Sequence, residues 1–372
     1  MSHNQIILIG TGGTIAGLAP NTMRANQYQA GAISIEALAS SIENHEFNSL
    51  NLNDCIRNEF NKENYLNKNA YTSIVTTQFS NIDSKDMTLM HWQNLTQCVT
   101  EYLSEENVKG VLITHGTDTL EETAYWLHLT VASLKPIVMT AAMRPSNALS
   151  ADGPRNLHDG ISVVQSDEAW GRGVLVAFGG RIFSARDIVK ASTYANDAFS
   201  AGKNGLIGWV NSNSVEFIRN PIKRHSIHSE FINSCDNFAK LSNFKIEIIC
   251  CYVGMSASSI DAMIDQKVDG IILAGMGNGS LPESIIAALY RANEAGIILV
   301  RNSRIRAARV ISHSQYVQLK SNSLIEKQSK STSISIISSN NIDIFKARIL
   351  LLLALSHNIN QKKELQRLFD EY

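Results

Sequence analysis

Threonine hydroxyls occur in two glycine-containing segments that directly follow apolar runs of the chain. The segment "GTGGT" ends the first apolar run, at residues 10–14, and "THGTDT" ends a second one, at residues 114–119. Glycine lets backbone amides approach a ligand closely, and a threonine on a tight turn presents its hydroxyl in a fixed position. A neutral hydroxyl attacks a substrate only when a base or a cation activates it, so further residues are required.

Candidate activating residues lie in two other segments. "RDIVK" supplies Lys190 after a further apolar run, and "NQYQAG" supplies Tyr28 in a glycine-containing loop. Asp118, within "THGTDT", adds a carboxylate where "DTLEE" is typical of a helix N-terminus. Singly, each residue is ordinary, because most lysines and tyrosines at such positions are solvated or structural. Together they are compatible with a threonine nucleophile that is activated through tyrosine or lysine with a carboxylate behind it.

Other glycine-loop chemistries fit the sequence less well. Gly10 and Gly12 match the first two glycines of a dinucleotide fingerprint, but the third position is Ile15. The chain has neither a Gly-Lys-Ser/Thr phosphate loop nor a GxSxG elbow, which disfavours the usual serine-hydrolase layout. A turn that only packs a helix on a strand would explain one such segment, but two at strand ends make that interpretation much weaker.

The elements that must position these residues follow a βαβ rhythm. Short apolar runs at 6–10, 111–116, 136–142 and 173–180 alternate with segments of helical periodicity. This predicts an α/β fold with a larger N-terminal domain, residues 1–214, in which helices flank a mostly parallel sheet. A polar segment, residues 215–240, is predicted as the linker to a smaller C-terminal α/β domain, residues 241–372. Ligands of open α/β sheets gather at the carboxyl ends of the strands, where the threonine segments lie.

Composition excludes several classes of partner. The 372 residues include 33 Lys and Arg against 34 Asp and Glu, a formal net charge of −1. This balance gives no net attraction to nucleic acid or to an anionic membrane, so neither is expected as a partner. The start of the chain lacks a signal-peptide pattern, no apolar run reaches the length of a membrane span, and a cytoplasmic location is expected.

The cysteines and one histidine pair do not form a recognisable disulfide or metal-binding pattern. The five cysteines, an odd number without CxxC spacing, indicate a reducing compartment, and adjacent Cys250 and Cys251 are expected to be buried thiols. The "HSIH" segment, with His225 and His228, has HxxH spacing but no further ligands nearby in the sequence. No metal site and no cofactor are therefore predicted.

Five segments in order carry a family resemblance: "TGGTIAG", "ITHGTDTLEETAYWL", "AMRPSNALSADGPRNL", "RDIVK" and "AGMGNG". Their sequence and spacing resemble the bacterial-type L-asparaginase family, also called asparaginase/glutaminase, from residue 5 to about residue 305 and again at "KARILLLLAL". The pairing of TGGTIA with HGTDT is very specific to this family. The resemblance implies hydrolysis of L-asparagine to L-aspartate and ammonia without a metal or cofactor.

The resemblance also implies roles for individual residues. Thr14 corresponds to the nucleophile and Tyr28 to the loop tyrosine that orients and activates it. Thr117, Asp118 and Lys190 correspond to a second cluster that polarises a threonine and positions water, and Asp118 also binds the substrate α-ammonium. Ser84, in "DSKDM", corresponds to the residue that holds the α-carboxylate, and Gly116 and Thr117 are counted with the substrate-binding residues. The family assembles as a dimer of dimers, so a homotetramer is implied.

Three positions depart from the family pattern. Lys85 stands beside Ser84 where the family usually has Gln or Glu, and it is counted with the substrate-binding residues. We expect its side chain to rotate outward, away from the substrate ammonium, while its charge assists binding of the substrate carboxylate; pairing with Asp86 is also considered. Ser280, in "GNGS", occupies a place that is Asn or Ser in the family and that touches the site across a subunit contact. After "SRIRAARV" no acid occurs until Glu326, so the acid that family members donate to the neighbouring site cannot be placed.

Three alternatives remain beside asparagine hydrolysis. L-Glutamine hydrolysis, or a dual activity, is open because one methylene changes binding by only about 1–3 kcal/mol. A non-catalytic amino-acid sensor on the same fold is disfavoured because ligand binding alone does not need the lysine and its acid. A subunit of a tRNA amidotransferase is disfavoured because the sequence shows no extra N-terminal domain and no basic surplus.

Overall fold

The computed structural model describes residues 5–22, 27–40, 73–211, 214–232, 234, 238–306, 308–311 and 334–372. The chain divides into two compact units, Met1–Ile232 and Asn233–Tyr372. The predicted linker, residues 215–240, contains most of a strand and the start of a short helix, and its role as a domain boundary stays a prediction. Within the described part of the chain, no helix is both long enough and apolar enough to cross a membrane.

An eight-stranded sheet forms the centre of the first unit, in the order β10-β9-β6-β5-β4-β3-β1-β2. The strands β2, β1, β3, β4 and β5 are parallel to one another. The strands β6, β9 and β10 then extend the sheet from β5 with antiparallel pairing. The strands are β1 (Gln5–Gly12), β2 (Ser73–Ile82), β3 (Val108–Thr114), β4 (Ile137–Thr140), β5 (Val174–Phe178), β6 (Arg181–Ser184), β9 (Gly208–Asn211) and β10 (Ser214–Phe217). A separate two-stranded hairpin consists of β7 (Val189–Lys190) and β8 (Phe199–Ser200).

The central strands form because their residues are apolar on both faces. All but the first residue of β1 are buried, as are all five residues of β5. Such continuous burial is typical of parallel strands that helices cover on both sides. The described helices of this unit are Leu89–Ser104, Leu120–Thr130 and Gly153–Gln165, with residues 35–40 also helical and 3-10 turns at Thr14–Ala16, Ser84–Asp86, Asp167–Ala169, Gly202–Asn204 and Ser226–His228.

The second unit has its own parallel sheet, in the order β11-β12-β13-β14. Its strands are β11 (Ile246–Cys250), β12 (Gly270–Gly275), β13 (Ile298–Ser303) and β14 (Ile336–Ser338), and its helices are Phe238–Leu241, Ser258–Asp265, Glu283–Glu294, Ile344–Ser356 and Lys362–Glu371. The leucine-rich helix Ile344–Ser356 is buried over most of its length, as its composition predicts. The predicted α/β class, a larger mostly parallel sheet domain plus a smaller α/β domain, is confirmed.

One expectation about the cysteines is wrong. Cys251 is fully buried, but Cys250 is exposed. The reason lies in strand geometry: successive side chains of a strand point to opposite faces, and Cys250 is the last residue of β11. Cys55 and Cys235 lie outside the described residues.

The turns after β1 and β3 meet through their backbones. A β-carbon at Gly13 would lie 2.4 Å from Cα of Gly116, and Gly13 has a φ of +77°. Both facts require glycine, because a side chain would collide with main chain and the left-handed conformation strains other residues. The Gly13 amide also donates to the carbonyl of Ile82 at the end of β2 (3.0 Å). Three strand ends are thereby joined at one point.

Gly13→Ala is expected to destabilise the first unit more than Gly171→Ala, its matched control. Gly171 has a similar φ of +73°, but a β-carbon there would meet only Cδ2 of Leu134 at 3.7 Å. Both variants carry a conformational cost of about 1–2 kcal/mol. Gly13→Ala should add about 1–3 kcal/mol because the clash is with backbone. Thermal unfolding of the two variants measures the difference, and equal melting temperatures would contradict the assigned contact.

Candidate active site

Three neighbouring strands deliver the candidate residues to one edge of the first sheet. Thr14 follows β1, Ser84 follows β2 and Thr117 follows β3, and these strands are adjacent in the order β2-β1-β3. The loops after β2 and β3 are tied together, because the Thr119 hydroxyl donates to the backbone carbonyl of Ser84 (2.7 Å). Residues about 100 positions apart in sequence (14 and 117) therefore line one place.

Thr14 is paired with Tyr28. Its Oγ1 lies 2.6 Å from the Tyr28 hydroxyl, and Thr14 is only 6% exposed. The tyrosine loop is held against the threonine turn by backbone hydrogen bonds in both directions between Leu18 and Gln29 (3.1 and 2.9 Å). The Gly31 amide also donates to the carbonyl of Gly13 (3.2 Å). The two hydroxyls are thus positioned by main chain rather than by flexible side chains alone.

Lys190 forms the centre of a second polar group. Its Nζ donates to Thr117 Oγ1 at 2.8 Å and to Asp118 Oδ1 at 2.6 Å. The lysine side chain is 15% exposed, whereas that of Asp118 is 55% exposed. Because Asp118 is largely in water, this ion pair adds little to stability, and its significance is that it directs the lysine at Thr117.

The hairpin of β7 and β8 carries Lys190 to this position. Lys190 pairs with Phe199 across the hairpin, and the ring of Phe199 packs edge-on against Phe178 at the end of β5 (4.9 Å between centroids). Both phenylalanines are buried. Because Phe199 packs on the end of β5, the hairpin holds Lys190 in its place in the second polar group.

Glu121 is a further residue of this group that the sequence alone did not single out. Its Oε2 accepts a hydrogen bond from the backbone amide of Lys190 at 2.7 Å, and Glu121 is 3% exposed. It lies in the first turn of the helix Leu120–Thr130. In the sequence, Glu121 is the first acid of "LEE", and that pattern predicts only a helix N-terminus. The buried carboxylate adds negative charge beside Lys190 and aligns its strand.

Ser84 and Gly116 lie in contact. Ser84 is 3% exposed, its Oγ has no hydrogen-bond partner among the described residues, and a β-carbon at Gly116 would lie 2.5 Å from that oxygen. Glycine at 116 therefore leaves the serine hydroxyl room. An unpartnered buried hydroxyl has lost its hydration, so a polar ligand atom that bonds to it recovers a hydrogen bond.

Lys85 turns away from this buried position. Its side chain is 62% exposed, and its Nζ lies 2.5 Å from Asp83 and 3.6 Å from Asp86. The outward orientation agrees with the expectation, and the nearer carboxylate belongs to Asp83 and not to Asp86. The expected assistance to the substrate carboxylate stays a prediction. The hydrogen bond to Asp83 is the main factor that raises the pKa of Lys85.

Ser280 and Glu326 lie far along the chain from the residues described so far. Ser280 is an exposed residue of the second unit, in the turn after β12, where its backbone is paired with that of Met276 (2.7 and 2.8 Å). Its expected contact with the site stays a prediction. Glu326 lies outside the described residues.

The described residues contain no group of three or more His, Cys, Asp or Glu that could hold a metal ion. What the first unit does contain is a pair of hydroxyls, a lysine bonded to a third hydroxyl and two carboxylates close to that lysine. Such an arrangement can polarise a hydroxyl oxygen and relay its proton, which is the requirement for nucleophilic attack on a carbonyl or amide carbon.

Comparison with known proteins matches both units. The model of the asparaginase N-terminal domain matches residues 5–223, and that of the glutaminase/asparaginase C-terminal domain matches residues 245–369. L-asparaginase 2 of Bacillus subtilis is 32% identical over 99% of this chain and 86% of its own length. The glutaminase-asparaginase of Acinetobacter glutaminasificans is 30% identical over 99% of this chain and all of its own length. The crystal structure of a probable cytoplasmic L-asparaginase from Campylobacter jejuni has a TM-score of 0.82 and 34% identity, covering 99% of this chain and 100% of that one.

His115, between β3 and Thr117, predicts a pH-dependent stability. The residue is fully buried, and burial lowers its pKa to about 4, although a hydrogen bond between Nδ1 and the Gly116 carbonyl (2.8 Å) opposes the shift. Below pH 6.5 the histidine of the unfolded chain binds a proton, whereas that of the folded chain binds one only below about pH 4. The free energy of unfolding therefore falls as the pH is lowered from 6.5 to about 4.

Titration of the unfolding free energy between pH 7 and pH 4 should show this loss, about 3 kcal/mol from His115 at most. His115→Gln should flatten the curve over the same window, whatever its effect at pH 7. Curves of equal slope for the wild type and the variant would contradict a neutral, buried His115.

Proposed function

The chain belongs to the bacterial-type asparaginase family, and we propose that it hydrolyses the side-chain amide of L-asparagine with Thr14 as the nucleophile. The observation that carries the proposal is the pairing of two activated hydroxyls on abutting turns. Thr14 is bonded to Tyr28 at 2.6 Å, and Thr117 is bonded to Lys190 at 2.8 Å. A single threonine on a glycine turn would not require either partner.

The proposed reaction has two halves. In the first, Thr14 Oγ1 attacks the amide carbon, its proton leaves along the hydrogen bond with Tyr28, and the amide nitrogen takes up a proton and leaves as ammonia. In the second, water attacks the acyl-threonine ester, the bond to Oγ1 breaks, L-aspartate is released and the hydroxyl regains its proton. Lys190, with Thr117 and Asp118, positions that water and stabilises the developing negative charge.

Substrate binding is assigned to the polar groups at the same strand ends. The substrate α-carboxylate accepts a hydrogen bond from the buried Ser84 hydroxyl, and the α-ammonium lies against the Asp118 carboxylate. Asp118 can bind both the Lys190 ammonium and the substrate ammonium, because a carboxylate offers about four lone-pair sites and, among the described residues, its hydrogen bond is to Lys190 at Oδ1. Gly116 leaves the space in which the substrate meets Ser84.

Glutamine hydrolysis is the second candidate within the same chemistry. A pocket for asparagine rejects the extra methylene of glutamine only modestly, and one relative of this chain is named a glutaminase-asparaginase. The comparison of kcat/KM for the two amino acids distinguishes these substrates. A sensor without catalysis is disfavoured because Lys190, largely shielded from water beside two carboxylates, serves proton transfer rather than recognition of an amino acid.

Assembly and location are proposed from the family resemblance. A dimer of dimers would place Ser280 of one subunit at a contact with the site of another, as in the family pattern. A cytoplasmic location accords with the free thiols of Cys98, Cys250 and Cys251. Light scattering and cell fractionation measure these properties directly.

Thr14→Ala should abolish ammonia release from L-asparagine while the fold persists, because only a hydroxyl and a methyl group are lost. Thr14→Ser should keep part of the activity, since it retains the oxygen.

Lys190→Met should lower kcat by about 10²–10⁴, the range expected of a proton-transfer group. Lys109→Met is its matched control, because Lys109 is a similarly shielded lysine paired with an acid, Asp167, away from the site.

Ammonia release by the purified protein, with melting temperatures for each variant, provides the measurement. Near wild-type turnover in Thr14→Ala would move the nucleophile elsewhere. An equal loss in Lys190→Met and Lys109→Met would show that the lysine matters only for folding.

Lys85→Gln should change the KM for L-asparagine by less than about fivefold, because Lys85 is exposed and its charge is opposed by Asp83. Asp83→Asn should raise KM, since the released lysine charge would repel the substrate ammonium. The double variant should return to the wild-type value. A tenfold fall in KM for Lys85→Gln, with kcat unchanged, would show instead that Lys85 faces the bound substrate.

A further inference from the structure

Tyr28 lies on a segment of the first unit that burial does not hold in place. Residues 20–22 and 27–29 are exposed, and Tyr28 itself is 37% exposed, whereas its partner Thr14 is 6% exposed. An exposed segment has few apolar contacts, so its position depends on polar contacts with the rest of the domain. A proton relay requires the two hydroxyls to stay within hydrogen-bond distance. Specific polar contacts must therefore keep the tyrosine beside the threonine.

The backbone of Gly17 contacts both members of this hydroxyl pair. A β-carbon at Gly17 would lie 2.8 Å from Cδ2 of Tyr28 and 2.9 Å from the carbonyl oxygen of Thr14. The Gly17 amide also donates a hydrogen bond to that carbonyl (2.8 Å). A shift of the Gly17 backbone would therefore move the tyrosine relative to the threonine.

Two residues of the turn after β4, Ser146 and Asn147, bind the backbone at Gly17 and Ala19. The Gly17 carbonyl accepts hydrogen bonds from the Ser146 amide (3.0 Å) and from Ser146 Oγ (2.9 Å). The Asn147 side chain accepts from the Ala19 amide at Oδ1 (2.9 Å) and donates from Nδ2 to the Ala19 carbonyl (2.8 Å). Ala19 is 6% exposed, so these backbone groups would lose their partners in a place that water reaches poorly.

The anchored backbone is connected to the tyrosine by a further pair of hydrogen bonds. Leu18 lies between the two anchored residues, and it exchanges backbone hydrogen bonds with Gln29 (3.1 and 2.9 Å). Gln29 directly follows Tyr28 in the chain. The contacts of the turn after β4 are thereby transmitted through main chain to the residue next to the tyrosine.

The turn after β4 is itself joined to the core of the first unit. The amides of Met143 and Arg144 donate to the Asp152 carboxylate (2.9 and 3.0 Å), and Asp152 directly precedes the helix Gly153–Gln165. Most residues of that helix are buried. The turn is therefore fixed to a buried element, and it can hold a segment that is exposed.

We propose that Ser146 and Asn147 are positioning residues, which keep Tyr28 on Thr14 through the main chain of residues 17–19. The inference rests on the proposed function, in which the tyrosine receives the proton of the threonine. Both residues bind backbone groups of the segment, so they act on the geometry of the hydroxyl pair and not on the proton itself. Their loss should therefore slow catalysis more than it weakens substrate binding.

Asn147→Ala should lower kcat for L-asparagine at least about tenfold, because a displacement of about 1 Å in a reacting group can cost about 10²-fold in rate. KM should change less than about threefold, since Ser84 and Asp118 lie on the loops after β2 and β3. Asn293→Ala is the matched control and should leave kcat unchanged. It removes a side-chain amide that binds the backbone of a distant segment, at Ser335 in the second unit (3.1 Å).

A double-mutant cycle with Tyr28→Phe distinguishes positioning from a general loss of structure. Tyr28→Phe removes the relay hydroxyl, so adding Asn147→Ala should lower kcat by less than about threefold more, whereas independent effects multiply. Ser146→Ala should cost less than Asn147→Ala because the Ser146 amide still donates to Gly17, and Ser146→Thr should restore the activity. Full multiplication of the two losses, or an equal loss in Asn293→Ala, would overturn the proposal.

Amide hydrogen exchange tests the anchor separately from catalysis. In Asn147→Ala, exchange at residues 17–19 and 28–31 should become at least about tenfold faster, while exchange in the helix Gly153–Gln165 should stay at the wild-type rate. Unchanged exchange at both segments would overturn the proposal even if turnover fell. Wild-type turnover in Tyr28→Phe would instead refute the relay of the proposed function, and the exchange rates would then decide the anchor alone.

Discussion

Backbone contact between Gly13 and Gly116 is the constraint on which the candidate active site depends. The two turns follow neighbouring parallel strands, and they can abut because Gly13 carries no β-carbon, which would lie 2.4 Å from Cα of Gly116. This closeness brings the Thr14 and Tyr28 hydroxyls beside the turn that holds Thr117 and Asp118. Beside Gly116 lies the buried Ser84 hydroxyl, which has no hydrogen-bond partner among the described residues. The residues proposed as nucleophile, proton relay and substrate donor therefore lie on turns that one close approach of main chain holds together.

The two acids beside Lys190 differ in burial and in the part of the lysine that they contact. Glu121 is buried and bonds to the lysine backbone, whereas Asp118 is more than half exposed and bonds to the ammonium group. The buried acid holds the backbone of the strand in place, and the exposed acid remains able to contact a substrate. Lys85, a second cation, follows Ser84 in the chain, but its exposed ammonium group is paired with Asp83 and points away from Ser84. Both arrangements keep net positive charge away from the place assigned to the substrate ammonium.

The amino-acid sequence by itself determined the α/β class, the residues at the strand ends and the family. Apolar runs with helical segments between them permit few architectures, and ligand-binding loops of such sheets follow the strands. Tertiary structure alone decided that Glu121 also approaches Lys190 and that Asp83 holds Lys85, because these contacts depend on side-chain orientation and not on spacing. The same holds for Cys250, which is exposed although its neighbour Cys251 is buried. Sequence patterns encode local periodicity, whereas contacts between distant segments arise from sheet order and loop packing.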